Sequence, residues 1–214
     1  MNRKKTSQPD HPNLLRIVLT DACVLYSRVL RDYLLYSAEY QIVSVAWSSA
    51  IMDEMTEHLV KNLATFTEES AERLVAAMTR TFPYALRNPN PDDYRRIQDI
   101  SLPDEHDRHV YAAALASQAD IVCTSNLVDF PASLADTLGF EVMSPDDVLC
   151  QLIALSPETM LLVHQTSVAN LKGATDESTM AALRRAGAPR TAQAMSRLLQ
   201  GLVSNHEGDG WDTI

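Results

Sequence analysis

Four acidic residues lie at the ends of predicted helices and strands in this sequence. Asp21 and Asp129 come after the apolar runs IVLT and IVCT, which are typical of strands buried on both faces of a sheet. Glu54 and Asp107 lie near the beginnings of predicted helices. Ligands of an open parallel sheet bind outside the carboxyl ends of its strands, and carboxylates that converge there repel one another unless a cation lies between them. Because oxygen-only ligation suits Mg²⁺ or Mn²⁺, the pattern predicts a metal-dependent enzyme that acts on a phosphate-containing substrate.

Some of these acidic residues also have a purely structural interpretation. Asp21 could cap the helix that follows it. Asp104 and Asp107 fit the N-cap and N3 positions of one helix, where the helix dipole favours negative charge. Asp107, however, has helical spacing with Val110 and Ala114 and so lies on an apolar stripe. A carboxylate on a buried stripe needs a partner or a metal, so the functional interpretation is stronger for Asp107 than for Asp104.

Several neighbouring polar residues could support the acidic ones. Thr124 and Asn126 offer groups to a metal, a water molecule or a phosphate, although asparagine is also common in turns for local reasons. Arg108 could hold a carboxylate or a phosphate through paired hydrogen bonds. We expect His109 to be a structural histidine rather than a ligand. Glu54 lies on a partly apolar helical face, and its assignment depends on the other acids.

Alternating strands and helices over residues 14–155 predict a three-layer α/β/α domain with a central parallel sheet. The predicted strands are Leu15–Thr20, Gln41–Ala46, Arg96–Ile100, Asp120–Thr124 and Glu141–Met143. The predicted helices are Val24–Tyr40, a helix capped by Ser48 or Ser49 and running through Leu63, a helix opening at Thr67, and Pro103–Ser117, Pro131–Leu138 and Pro145–Leu155.

The ends of the chain differ from this domain. Residues 1–13 are expected to be a disordered basic arm and residues 204–214 a flexible tail. Residues 156–203 contain no predicted strand and form an all-helical C-terminal extension. Its predicted helices, separated by Gly- or Pro-marked joints, are Pro157–Leu171, Thr175–Ala186 and Arg190–Leu202.

Composition narrows the choice of function. The 214 residues include no apolar run long enough to cross a membrane, and the polar N-terminus lacks the apolar core of a signal peptide. The three cysteines are isolated, so we predict a cytoplasmic protein without disulfides. Residues 14–149 carry 10 Lys and Arg against 21 Asp and Glu. This acidic excess argues against purely electrostatic RNA binding, because nucleic-acid binders usually show a basic footprint.

Four sequence blocks, spread from Leu15 to Leu155, resemble successive motifs of PIN-domain proteins. They are TDACVLYSRVLRDYLL, WSSAIMDEMTEHL, LPDEHDRHVYAAALASQADIVCTSNLVDFP and GFEVMSPDDVL. The likeness is strongest to the bacterial toxin-like branch, the VapC-type ribonucleases. It implies an α/β/α fold and a Mg²⁺- or Mn²⁺-dependent ribonuclease that cuts single-stranded RNA and leaves 5′-phosphate and 3′-hydroxyl ends.

The resemblance also implies roles and partners. By motif, Asp21, Glu54, Asp107 and Asp129 are the acidic metal-binding cluster, with Asp104 and Asn126 beside it. The implied function is the toxin of a type II toxin–antitoxin system, with RNA as substrate, a cognate antitoxin protein and a homodimeric assembly. The helical extension lies outside the PIN unit, as in some longer toxin-like members.

The first motif departs from the family pattern. The family usually has Asp-x-Asn, and here Cys23 stands where the asparagine is expected. A weakly hydrogen-bonding thiol thus replaces an amide that could orient Asp21 or a water molecule. A catalytically weak PIN-fold protein that acts mainly through protein binding is therefore an alternative function.

Aspartyl-phosphate chemistry, with Asp21 attacking phosphate, is the rival enzyme class. A haloacid-dehalogenase-like phosphatase would need a second aspartate at the position of Cys23. A receiver domain would need a lysine after a later strand, but no lysine occurs between Lys61 and Lys172. Both patterns disfavour this class.

Overall fold

The structure is a computed structural model that describes residues 15–207, with side chains described through residue 201. The predicted basic arm at residues 1–13 lies outside the described residues, as do residues 208–214 of the predicted tail. The last helix continues through residue 207, so the first residues of the predicted tail are helical rather than irregular.

Four parallel strands form the central sheet, in the order β2-β1-β3-β4. They are β1 (Ile17–Thr20), β2 (Ser44–Ala46), β3 (Ile121–Cys123) and β4 (Glu141–Met143). The β-branched, apolar residues of β1 and β3 are almost wholly buried, as expected for central strands covered on both faces. Val18 of β1 lies opposite Val45 of β2 on one side and Ile121 of β3 on the other.

The predicted strand at Arg96–Ile100 is wrong. This segment forms turns after a short helix, and the guanidinium of Arg108 donates hydrogen bonds to the main-chain oxygens of Ile97 and Ile100, at 2.5 and 2.9 Å. Ile97 is buried, which explains the apolar spacing that suggested a strand. The carbonyl groups that a sheet neighbour would have used are occupied by a side chain instead.

Helices pack around the sheet and complete the three-layer α/β/α arrangement that the sequence predicted. Within the first 155 residues they are α1 (Ala22–Tyr26), α2 (Arg28–Glu39), α3 (Ser49–Asn62), α4 (Glu68–Thr81), α5 (Pro91–Arg95), α6 (Arg108–Ser117), α7 (Ala132–Leu138) and α8 (Pro145–Leu155). The hydroxyl groups of Ser48, Thr67 and Ser144 accept hydrogen bonds from main-chain N–H groups in the first turns of α3, α4 and α8.

The single helix predicted over Val24–Tyr40 is instead two helices that meet at Ser27. Ser27 has an extended backbone, with φ −73° and ψ 111°, and its N–H closes α1 onto Val24. The side chain of Arg31, which is buried, donates to the main-chain oxygen of Leu25 at 2.5 Å and so ties α2 back to α1. The apolar spacing continues through this break, which is why sequence pattern alone did not reveal it.

The C-terminal extension consists of helices α9 (Pro157–Ala169), α10 (Asp176–Arg185) and α11 (Pro189–Glu207). Helix α9 packs on α2, and α11 packs on α8. Met160, Val163, Leu183 and Met195 of the extension are fully or almost fully buried in the same hydrophobic core as the sheet. The extension therefore stabilises the domain it follows. Across residues 15–207 no helix is both long and apolar enough to cross a membrane.

Two buried polar contacts join the extension to the preceding domain. The carboxylate of Asp146 accepts hydrogen bonds from the main-chain N–H groups of Arg190 and Thr191, at 3.1 and 2.8 Å, and so caps α11. In the other contact, the hydroxyl of Tyr33 lies 2.6 Å from Nδ1 of His164, whose Nε2 is 3.1 Å from Asp176. Tyr33 and His164 are both fully buried, so the contact between them is shielded from water, whereas Asp176 is largely exposed.

We predict that Tyr33→Phe lowers the stability of the folded chain. The substitution removes one oxygen and leaves Nδ1 of the buried His164 without its partner, at a cost of about 1–3 kcal/mol. Tyr40→Phe is the matched control, because the Tyr40 hydroxyl also contacts α9, at Thr166, but is exposed to solvent. Chemical denaturation should show a loss for Tyr33→Phe and almost none for Tyr40→Phe. Equal effects would mean that the buried contact does not stabilise the extension.

Candidate active site

The sheet order places a topological switch point between β1 and β3. In doubly wound sheets of this order, ligands bind outside the carboxyl ends of the strands at that point. Asp21 directly follows β1 and Thr124 directly follows β3. The N–H of Asp21 donates to the main-chain oxygen of Cys123 at 3.1 Å, which extends the strand pairing by one residue. The two side chains are thus fixed side by side.

Asp21 caps the helix that follows it and also presents a carboxylate at the edge of the sheet. One carboxylate oxygen accepts a hydrogen bond from the N–H of Ala22 at 2.7 Å, which is the capping role. The other accepts from the hydroxyl of Thr124 at 2.6 Å. The residue is only 7% exposed. Asp21 is therefore a rigidly held negative charge at the switch point.

Three further carboxylates form an acidic cluster: Asp104, Asp107 and Asp129. One oxygen atom from each lies within 4.8 Å of the other two, close enough to hold one metal ion. Asp104 precedes the short 3-10 turn Glu105–Asp107 and accepts a hydrogen bond from the N–H of His106 at 2.8 Å. Asp107 ends that turn and begins α6. The turn thus aims two carboxylates, three residues apart, at the same space.

Asp107 is the residue of the acidic cluster whose negative charge is least compensated by its surroundings. Its Oδ2 is buried and has no hydrogen-bond partner within the described part of the chain. Desolvation, followed by the charges of Asp21, Asp104 and Asp129, raises the pKa of Asp107 to about 6. Its helical neighbours Val110 and Ala114 are buried, as their spacing predicted. A buried, unpaired carboxylate oxygen among other carboxylates suits a divalent cation with oxygen ligands.

Asp129 is held by the turn that follows β3. The side-chain amide of Asn126 donates to Asp129 Oδ2 at 2.6 Å, and the N–H of Asn126 donates to the hydroxyl of Thr124 at 3.0 Å. The hydroxyl of Tyr111 donates to the main-chain oxygen of Asp129 at 2.9 Å. Burial, with the charges of Asp107 and Asp129, raises the pKa of Tyr111 to about 12, so the phenol remains a neutral donor. Sequence reasoning included Thr124 and Asn126 but missed Tyr111, whose apolar helical position indicated only core packing.

Glu54 is not part of the three-carboxylate group. Its Oε2 lies 3.4 Å from Nε2 of His109, an ion-pair distance without hydrogen-bond geometry. This contact lowers the pKa of Glu54 and raises that of His109. Nδ1 of His109 lies 2.8 Å from the main-chain oxygen of His106. His109 therefore links Glu54 on α3 to the turn that carries Asp107, a role consistent with its interpretation as a structural histidine.

Arg108 contacts the carboxylate of Glu105 and not the acidic cluster. Its Nε and Nη2 donate to the two oxygens of Glu105 at 2.7 and 2.8 Å. With its bonds to the oxygens of Ile97 and Ile100, this occupies donors on all three guanidinium nitrogens. The observed role of Arg108 is to fix the loop before Asp104; contact with a phosphate stays a prediction.

Cys23 preserves part of the support that an asparagine would give. Its thiol donates to Asp21 Oδ2 at 3.2 Å, and its sulfur accepts a hydrogen bond from the N–H of Ser125 at 3.3 Å. Desolvation and then the charge of Asp21 raise the pKa of the Cys23 thiol to about 11, so it stays neutral at physiological pH. The thiol orients Asp21 without adding a further negative charge.

The comparison with protein families agrees with this geometry. The model of the PIN domain matches residues 17–127, which is just over half of the chain. The chain belongs to the PIN-domain family. PIN domains are generally nucleases, and the matched segment includes Asp21, Glu54, Asp104 and Asp107 but ends before Asp129. No curated protein and no solved structure matches the chain.

We predict that Asp107→Asn stabilises the metal-free protein. The raised pKa means that the ionised carboxylate destabilises the folded state above about pH 6. At about pH 8 in EDTA, the loss of this charge should raise the melting temperature by about 2–4 °C, a modest gain because solvent partly screens the side chain. The gain should shrink as the pH falls through 6, since wild-type Asp107 then takes up a proton in the folded state.

With divalent metal, the wild-type protein should instead have a higher melting temperature than Asp107→Asn. Mg²⁺ or Mn²⁺ bound only by the folded cluster raises the melting temperature by mass action, and Asp107→Asn should lose most of that rise. Asp136→Asn is the control, because Asp136 is exposed on α7 outside the cluster. NaCl at matched ionic strength corrects for screening. An equal response to metal in all three proteins would show that Asp107 is not a ligand.

Proposed function

We propose that this PIN-domain protein is an endoribonuclease that requires Mg²⁺ or Mn²⁺. The observation that carries the proposal is the acidic cluster itself: three carboxylates within 4.8 Å of one another, one with a buried and unpartnered oxygen, beside the switch point of the sheet. Such a group is costly to hold together without a cation. The same group is suited to binding a phosphate through a shared metal.

Each residue of the site would have a distinct part in this chemistry. Asp104, Asp107 and Asp129 would hold the cation, and Asp21 would add the charge that keeps the cation beside the sheet. When bound, a divalent cation neutralises charge on the scissile phosphate and lowers the pKa of water. Asn126 fixes the orientation of Asp129, as Thr124 does for Asp21. Glu54 would act through His109 by setting the position of α6.

The reaction would be an in-line attack of water on the phosphorus of an RNA phosphodiester. The new bond joins the water oxygen to phosphorus, and the bond to the 3′ oxygen breaks. The leaving 3′ oxygen takes up a proton, so the products carry a 5′-phosphate and a 3′-hydroxyl. Asp21 is poorly placed to act as a covalent nucleophile, since both its oxygens accept hydrogen bonds from fixed donors. This weighs against the aspartyl-phosphate alternative.

We further propose that the protein is the toxin of a type II toxin–antitoxin system, as its resemblance to VapC-type ribonucleases suggests. Its partners would be a cognate antitoxin protein and a second copy of the chain, and it would act on cytoplasmic RNA. Cys23 supports the competing function, a catalytically weak PIN-fold protein that acts through protein binding, because a thiol orients a carboxylate less strongly than an amide.

We predict that purified protein cleaves single-stranded RNA with Mg²⁺ or Mn²⁺ and not with EDTA. Asp107→Asn should lower the cleavage rate at least about a hundredfold, because loss of a metal ligand or its support typically has this order of effect. Asp136→Asn removes the same charge from an exposed helix and should cleave at the wild-type rate. The two variants should have closely similar circular dichroism spectra.

Two results would contradict this assignment. Cleavage by Asp107→Asn at the wild-type rate would mean that the acidic cluster is not the catalytic centre. Metal binding without cleavage of any RNA tested would favour the protein-binding alternative.

The toxin proposal makes a separate prediction in cells. Induced expression of the wild-type chain in a bacterial host should stop growth, and Asp107→Asn should not, because growth arrest would require RNA cleavage. Western blotting of both proteins controls for expression. Cleavage in vitro with unchanged growth would leave the endoribonuclease assignment intact and would contradict the toxin role.

A further inference from the structure

A cavity of about 570 Å³ lies between the joint of α1 and α2 and the helices α9 and α10. It begins at the candidate active site, because Cys23 and Ser125 line it. Cys23 contacts Asp21, and Ser125 follows Thr124 directly. Its far wall belongs to the C-terminal extension, where Arg185 lies. The cavity is therefore continuous with the site and outside the acidic cluster.

The charge of the cavity differs from that of the domain around it. Arg28 and Arg185 line it together with one acidic residue, Asp32, whereas residues 14–149 carry a large acidic excess. Arg28 forms an ion pair with Asp32, 3.4 Å from Nε to Oδ2, and its two terminal nitrogens make no hydrogen bond to the described residues. Arg185 is exposed and makes no ion pair within residues 15–201. Tyr26, which is half-buried, adds an aromatic ring to the same wall.

We propose that this cavity binds the RNA strand beside the scissile phosphate, with Arg28 and Arg185 contacting the sugar–phosphate backbone. The inference rests on the proposed ribonuclease function. A strand with one phosphate at the acidic cluster that continues past Cys23 and Ser125 would enter this cavity, because both residues line it. Guanidinium groups recognise phosphate oxygens through paired hydrogen bonds, and hydroxyl groups such as those of Ser27 and Thr179 are common backbone contacts.

This assignment also explains how an acidic protein could hold a polyanion. The metal would offset the charge of the acidic cluster, and the cavity would supply positive charge for the adjoining nucleotides. An aromatic ring in a positively charged groove is the usual means of binding single strands without reading their sequence. The C-terminal extension would then contribute to substrate binding as well as to stability.

Arg184 and Arg185 provide a matched pair for the test. Both are exposed and both lie in the last turn of α10, where a positive charge interacts favourably with the helix dipole. Only Arg185 lines this cavity; Arg184 lines a different one, with Asp176 and Glu177. Neutralising either residue changes the net charge and the helix end equally. Any difference in RNA binding between the two variants is therefore due to the position of Arg185 in the cavity.

The experiment measures single-stranded RNA binding over a range of NaCl concentrations, with all variants made in the Asp107→Asn background so that the RNA stays intact. Arg185→Gln should weaken binding about fivefold and reduce the slope of log affinity against log salt by about 0.7, the value for one phosphate contact on a single strand. Arg184→Gln should have the same RNA affinity and the same salt slope as the Asp107→Asn parent protein. A dinucleotide is too short to reach the cavity from the acidic cluster. The parent protein and the two arginine variants should therefore bind it with equal affinity.

The outcomes separate this inference from the proposed function. If the parent binds RNA and both arginine variants match it, the cavity does not bind the strand, while the ribonuclease assignment stands. If Arg185→Gln leaves RNA binding unchanged but weakens binding of an oligoglutamate probe, the cavity is a protein-binding site and the inference is overturned. If the parent binds no RNA and the wild-type protein does not cleave it, both proposals fall.

Discussion

Mutual repulsion among carboxylates is the constraint on which the rest of this structure depends. Asp104, Asp107 and Asp129 are close enough to destabilise one another. Desolvation, followed by the charges of Asp21, Asp104 and Asp129, raises the pKa of Asp107. A fold can keep such a group together only if other interactions fix the chain around it. The parallel sheet provides the first of these, because β1 and β3 end side by side and fix Asp21 against Thr124. The Asn126 amide and the 3-10 turn before α6 provide the others.

The C-terminal extension adds rigidity to the same framework. Its helices bury apolar side chains in the common core, and a buried contact from Tyr33 to His164 secures α9 against α2. Helix α2 directly follows the short α1 that Asp21 caps, so the extension braces the segment that carries the first acidic residue. Burial of this kind offsets the local cost of concentrated negative charge, because stability is a sum over the whole domain. The extension thus contributes stability to the domain that holds the acidic cluster, although no carboxylate of the cluster lies on it.

Sequence pattern could predict the parts of the fold that follow from periodicity and from the ends of strands. Apolar, β-branched runs located β1 and β3, and the residues just after them, Asp21 and Thr124, are adjacent in the structure. The pattern was wrong about the strand at Arg96–Ile100, where a side chain rather than the local backbone decided the outcome. Arg108 takes the carbonyl groups of a segment predicted to be a strand. Glu54 pairs with His109 because of the packing of α3 on α6, which no spacing within one helix can show.

The arginines of the extension show why charge counts are a poor guide to function without geometry. Residues 156–203 carry five Lys and Arg against three Asp and Glu, an excess that suggests a surface for RNA or for an acidic partner, yet three of the arginines have different environments. Arg190 forms ion pairs with Asp146 and Asp147 that fasten α11 to α8, so its charge is neutralised within the fold. Arg184 lies in a cavity with acidic residues of its own helix, and Arg185 lines the cavity that Cys23 and Ser125 also line. Position matters as much as charge, because screening limits the reach of an exposed charge to about one Debye length, roughly 8 Å in physiological salt.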